Sequence, residues 1–172
     1  MNILVTGHGR HGKDTFCEVL RYHGLTFTSS SLQAAKNYIF PLWGKYRYDT
    51  IEECYNDRHT GDNRAIWYKL IQEYNTPDKS RLARDILYRN DVYCGMRCKE
   101  ELSACDRIYL FDIKIWVDAS DRLPPESSDS MTITKDMCDI IIENNGSLDE
   151  FLSKIAYLAN ILACANKTEV LI

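Results

Sequence analysis

The chain has no apolar run approaching the roughly 20 residues that a membrane-spanning helix requires, so no such helix is expected. It has no surplus of basic residues. Its 21 Lys and Arg face 25 Asp and Glu, a formal net charge of -4. No global positive field therefore marks a nucleic-acid binder, although a local basic patch remains open. It has no C-x-x-C pair among its seven cysteines, Cys17, Cys54, Cys94, Cys98, Cys105, Cys138 and Cys164. Cys94 and Cys98 are separated by three residues and have no second pair to complete a zinc site, and the odd total speaks against a disulfide framework. Reduced, mostly buried thiols in a cytoplasmic protein are the expectation. Proline (4) and glycine (8) are sparse, and no repeat or low-complexity segment interrupts the 172 residues. No basic segment followed by an apolar one opens the chain, so no signal peptide is expected. What remains is an ordinary globular composition, 45% hydrophobic and 27% charged, and a length that suggests one domain over residues 1–172.

Against that background one stretch stands out, Gly7-His8-Gly9-Arg10-His11-Gly12-Lys13-Asp14-Thr15. Its spacing, G-x-x-x-x-G-K, is that of a loop whose backbone N–H groups cradle phosphate oxygens while the lysine reaches the β- and γ-phosphates. The context agrees. Asn2-Ile3-Leu4-Val5-Thr6 before it reads as a buried strand, and Phe16, Val19 and Leu20 after it fall at helical spacing. The helix N-terminus would add its partial positive charge. A glycine turn that binds nothing is the bland alternative, and the lysine directly after the last glycine argues against it. Asp14 occupies the position where Ser or Thr normally serves Mg²⁺, and Thr15 comes one residue later. A carboxylate can hold this hard cation directly or through water, so Asp14, with Thr15 as an alternative, is the expected metal residue. Asp14 can instead cap the helix, and Thr15 can contact a phosphate or face the helix interior.

Further along, apolar spacing predicts a strand at 25–28, a helix at 32–42, a short acidic helix at 51–57, and a helix at 63–74 striped by Ile66, Trp67, Leu70, Ile71 and Tyr74. Another helix is expected from near Pro77 to about Arg89, then a strand at 91–95, a helix at 98–105, a strand at 113–118 and a strand at 139–143. Ser147 and Glu150 form a capping box for the last helix, lined by Phe151, Leu152, Ile155, Leu158 and Leu162. Alternating strands and helices imply an α/β fold with a mostly parallel sheet; a helical insertion at about 32–90 is expected on the acceptor side, and the polar loop at about 119–136 is expected to serve as a lid. Ligands of such sheets bind beyond the carboxyl ends of the strands, which gathers the loops after Thr6, Thr28, Gly95 and Asp118 around one site.

Charged residues in those loops are the other candidates. Arg97, after the third strand, can face an anionic substrate or simply pair with Glu100 or Glu101. Arg58 and Arg64 can hold an acceptor phosphate by their forked guanidinium groups, or be solvated helix charges. His59 is uninformative alone, and His8 and His11 can merely shape the loop. Arg122 can close over a transferred phosphoryl group, with Lys135 a second candidate, or both can be incidental charges in a surface loop.

The G-x-x-x-x-G-K-D-T loop, Gly95-Met96-Arg97 after a strand, and residues 139–148, a strand with an Asn-Asn-Gly turn and a Ser-Leu helix start, resemble tailed-phage deoxynucleoside monophosphate kinases. The resemblance covers both ends of the chain and is thin from about 32 to 90. It implies the P-loop nucleoside monophosphate kinase fold, ATP with Mg²⁺ as donor, and location in the host cytoplasm. The chain is also similar to the related phage kinases that phosphorylate the hydroxymethyl group of 5-hydroxymethyluracil in DNA. Chemistry separates the two. A monophosphate is already an anionic nucleophile and needs arginines, whereas a neutral hydroxymethyl group benefits from a carboxylate base. Asp57 is the first candidate base and Asp118 the second. Tyr46, Tyr48, Trp67 and Tyr68 can stack on a nucleobase in either case, or pack in the core. A nucleotide switch or slow ATPase acting through a partner is the third reading. The expected partners are ATP and a nucleotide-type acceptor, with no membrane, and monomer and homodimer are both left open.

Overall fold

The computed structural model describes residues 1–126 and 131–169. Five strands form one sheet: β1 (Ile3–Thr6), β2 (Phe27–Ser29), β3 (Val92–Cys94), β4 (Ile113–Asp118) and β5 (Ile140–Glu143). All neighbours run parallel, in the order β2-β3-β1-β4-β5. β1 lies in the middle, pairing Ile3 with Val92 on one side and with Ile113 on the other. A central parallel strand must be apolar on both faces, and Ile3, Leu4, Val5 and Thr6 are all fully buried.

The two-residue period of the strands divides the core. Ile3, Val5, Val92, Cys94, Ile115 and Val117 point to the face covered by helix α1 (Lys13–Tyr22) and the last helix, α8 (Leu148–Glu169). There Phe16, Cys17 and Leu20 of α1 meet Phe151, Ile155, Ala159 and Leu162 of α8. Leu4, Tyr93 and Trp116 point to the opposite face. It is covered by the segment between β2 and β3 and by α7 (Lys99–Asp106). That segment comprises α2 (Ser30–Ala34), α3 (Phe40–Leu42), α4 (Ile51–Asn56), α5 (Asn63–Tyr74) and α6 (Arg81–Leu87).

Most of the expected elements are present, with local corrections. The single helix expected at 32–42 is α2, a π-helical stretch Ala35–Ile39, and α3 in succession. Pro41 has no N–H to donate to the residue four back, and the wider turn comes just before it. The helix expected from Pro77 begins only at Arg81, because Asp78 takes the Ser80 N–H and hydroxyl in a turn of its own. The capping box at Ser147 is present in both directions, Glu150 N–H to Ser147 Oγ at 3.2 Å and Ser147 N–H to Glu150 Oε2 at 2.9 Å. Part of the loop expected at 119–136 lies outside the described residues. No helix among the described residues is long and apolar enough to cross a membrane. Cys17, Cys54, Cys94 and Cys105 are buried thiols.

Candidate functional site

The loop between β1 and α1 curls because three of its residues have left-handed backbone, Gly7 at φ 140°, Arg10 at 64° and Gly12 at 104°. Only glycine fits at two of them. A Cβ on Gly7 would lie 2.4 Å from the Val117 carbonyl oxygen, and one on Gly12 would lie 2.7 Å from Asn144 Nδ2. The loop is pinned from behind. Asn144 Nδ2 donates to the His11 carbonyl at 2.9 Å, and the Ala119 N–H donates to His11 Nδ1 at 3.0 Å. Burial lowers the pKa of His11, so it stays the neutral acceptor that this bond requires. Its Nε2 is buried and has no hydrogen-bond partner among the described residues. The two histidine rings of the loop meet edge to face, with centroids 5.2 Å apart, and His8 meets Trp116 in the same way.

Lys13 is the first residue of α1, and its Nζ donates to the His8 carbonyl at 2.6 Å, so it lies across its own loop. Burial lowers its pKa. Such a lysine gains from a polyanion that takes its charge, and the N-terminus of α1 points the same way.

A cleft of about 1060 Å³ opens in front of the loop. Its walls come from every strand end anticipated above: Gly9, Arg10, Lys13 and Asp14 after β1, Ser29 at the end of β2 with Ser30 and Ser31 after it, Gly95 and Arg97 after β3, and Leu123 to Glu126 after β4. The insertion adds Tyr55, Arg58, His59 and Arg64. Thus Arg58 and Arg64 of the insertion and Arg97 after β3 face one space with Lys13. Arg58 is held by stacking, its guanidinium carbon 3.8 Å from the Tyr55 ring centroid, and donates to the Tyr55 carbonyl at 2.7 Å.

Asp14 lines the cleft beside Lys13, and Cys94 Sγ approaches its Oδ1 at 3.7 Å. One exposed carboxylate next to a phosphate cradle suits Mg²⁺, which keeps several waters and takes phosphate oxygens. Thr15 is exposed on α1 and does not line the cleft. It is the weaker metal candidate.

Several candidates fall elsewhere. Asp57 does not line the cleft. Its Oδ2 accepts from Tyr48 Oη at 2.7 Å and Asn63 Nδ2 at 3.0 Å, joining the start of α5 to the turn before it. Hydrogen bonds from Thr60 and Tyr48 lower its pKa, which weakens it as a proton acceptor. Arg122 also turns away. The chain turns back at Ala119, whose carbonyl takes the Arg122 N–H, and Arg122 Nε donates to the Asn144 carbonyl at 2.7 Å. Asp118 lies behind the loop, 4.0 Å from His11 Nδ1, and Lys135 Nζ lies 3.7 Å from its other oxygen. Tyr48 and Trp67 pack with the insertion core, whereas Tyr46 and Tyr68 are exposed.

The residue that sequence reasoning missed is Glu126. Its Oε2 accepts the Gly9 N–H at 2.8 Å, and its Oε1 accepts from Arg97 Nη1 at 2.6 Å and Arg64 Nη2 at 2.8 Å. Its own N–H donates to His8 Nδ1 at 3.2 Å. Burial alone would raise the carboxyl pKa, but Arg97, the Gly9 N–H and Arg64 outweigh it and bring it to about 2. The signal in the sequence was faint, a lone carboxylate after Pro124-Pro125 in a polar loop.

No family model matches this sequence, and no curated protein matches it either. Solved structures do share its fold. A dephospho-CoA kinase from Campylobacter jejuni superposes with a TM-score of 0.53 at 14% identity, covering 96% of this chain and 98% of that one. TT1252 from Thermus thermophilus gives 0.52 at 18% identity over 95% and 96%. A shikimate kinase from Aquifex aeolicus gives 0.50 at 14% over 98% of both chains. The chain therefore has a P-loop NTPase fold of the nucleoside monophosphate kinase type, a five-stranded parallel sheet flanked by helices.

Proposed function

We propose that this protein is an ATP- and Mg²⁺-dependent phosphotransferase whose acceptor is a small anion, most simply a deoxynucleoside monophosphate. The observation that carries this reading is one cleft lined at once by the glycine loop with Lys13 and by Arg58, Arg64 and Arg97. The loop N–H groups and Lys13 hold the donor phosphates. Arg97, with Arg58 and Arg64 from the insertion, offsets the repulsion between two polyanions and orients the acceptor oxygen in line with the terminal phosphorus. That oxygen forms the new P–O bond as the bond to the ADP leaving group breaks. Asp14 would hold Mg²⁺, which spreads the charge that builds on the phosphate oxygens. The kinase neighbours in fold are consistent with this chemistry.

An anionic acceptor is favoured because no side chain is needed to deprotonate it. Asp57 and Asp118, the carboxylates that a neutral hydroxymethyl acceptor in DNA would call on, do not line the cleft. The test is transfer of labelled γ-phosphate from ATP to two pools in parallel, free deoxynucleoside monophosphates (hydroxymethylated pyrimidines included) and DNA containing 5-hydroxymethyluracil. Label on a free nucleotide supports the reading. Label on the DNA replaces it with the nucleic-acid kinase. ATP consumption with no label in either pool replaces it with a switch or slow ATPase. Lys13→Ala is expected to lower transfer by at least about 100-fold with the fold intact, the scale of losing one preorganised charge at developing phosphate oxygens. Near-normal turnover in that variant would remove the phosphate-loop assignment.

A further inference from the structure

Two guanidinium groups from different parts of the chain converge on a single oxygen, Glu126 Oε1, while the other oxygen takes a loop N–H. Arg64 starts α5 of the insertion, Arg97 follows β3, and Gly9 belongs to the phosphate loop. Two cations gather in this way only around an anion, and charge-assisted bonds of this length are the strong ones. The group in their midst has the charge sign, the acceptor-only oxygens and the position of a phosphoryl group between the loop and the acceptor arginines.

Resting on the phosphotransferase reading, we propose that Gly9 N–H, Arg64 and Arg97 form the seat of the terminal phosphoryl group, and that Glu126 occupies this seat from within until the nucleotide displaces it. A phosphoryl group brings three oxygens and a second negative charge to the same donors, so it competes well against one carboxylate. Pro124 and Pro125 limit the freedom of the chain just before Glu126, and the bond from its N–H to His8 is a second tie to the loop. Displacement therefore breaks the carboxylate contacts and loosens the His8 tie together. The terminal phosphate is then what frees Arg64 and Arg97 from Glu126, and ADP, lacking that phosphate, leaves the seat filled.

The experiment is titration of wild type, Glu126→Gln and Glu126→Ala with a non-hydrolysable ATP analogue and, separately, with ADP. If the Glu126-filled form holds about nine molecules in ten, apparent affinity for the ATP analogue is weakened about tenfold, and both variants recover it. ADP affinity is expected to change less than about twofold, because its phosphates do not reach the seat. Asp121→Asn removes one charge from the same segment without touching the loop, and is expected to leave both affinities unchanged. Equal tightening for ATP analogue and ADP, or no change for either, overturns the proposal while leaving nucleotide binding intact. Failure of all the proteins to bind either nucleotide overturns the phosphotransferase reading, and this inference with it.

Discussion

Gly12 shows how much one missing side chain determines at the site. Its φ of 104° is left-handed, and a Cβ there would meet Asn144 Nδ2 at 2.7 Å and the Phe151 ring at 3.0 Å. Asn144 cannot yield freely, because that amide is the one holding the His11 carbonyl. Gly24 is a natural control, with a φ of 91° but nothing among the described residues within 4 Å of a Cβ. Gly24→Ala is expected to cost about 1 kcal/mol from backbone strain alone. Gly12→Ala adds a clash, for a total of about 2–4 kcal/mol, and is expected to abolish nucleotide binding. Urea midpoints together with ATP titration measure both effects. Similar losses of stability in the two variants, with binding retained in Gly12→Ala, would mean that Asn144 does not hold the loop.

At the scale of elements, β3 and α7 are joined by a buried pair, Tyr93 Oη donating to Glu101 Oε1 at 2.8 Å. Burial raises the Glu101 carboxyl from 4.5 to about 7, and the Tyr93 hydrogen bond only partly opposes this. Between pH 4.5 and 7 the unfolded chain loses this proton while the folded protein keeps it. Stability from this group is therefore full below pH 4.5 and is lost as pH rises to about 7, by about 3 kcal/mol. Glu101→Gln removes the titration and keeps an acceptor for Tyr93, while its NH₂ must find a partner at a cost of about 1 kcal/mol. The variant is thus expected to be more stable than wild type by about 2 kcal/mol at pH 8 and less stable by about 1 kcal/mol at pH 4. Denaturant curves at the two pH values check this. The same effect at both would show that Glu101 is ionised in the folded state. The elements themselves were legible because their signals are local: β-branched runs for β1 and β4, the apolar stripe of α5, the box at Ser147. Glu126 and Asn144 were not, since their partners Gly9 and His11 lie 117 and 133 residues away. Arg122 had a plausible charge in a plausible loop, but only the turn at Ala119 sets its direction.

Across the whole molecule, the parallel order brings four loops to one end of the sheet, and the insertion between β2 and β3 closes the cleft from the side. No element carries the site alone, which is why the residues lining it are dispersed along the chain. A ligand that reaches only the phosphate loop engages one wall, whereas one that spans loop and insertion ties two parts of the fold together. A ligand at about 100 times its dissociation constant stabilises the native state by about 2.7 kcal/mol. For a chain of this size that is a rise in melting temperature of about 5–10 °C. ATP with Mg²⁺ is expected to give a shift of this order. A compound in which five phosphates join adenosine to a deoxynucleoside is expected to give a distinctly larger one at equal concentration, because its second half binds as an intramolecular event. Arg58→Ala is expected to remove most of that excess and little of the ATP shift, because Arg58 is held by Tyr55 and takes no part in the contacts around Glu126. Differential scanning calorimetry reads all four combinations. If the linked compound stabilises no more than ATP does, or if its excess survives loss of Arg58, then Arg58 does not face the acceptor and the cleft must be assigned to a donor alone.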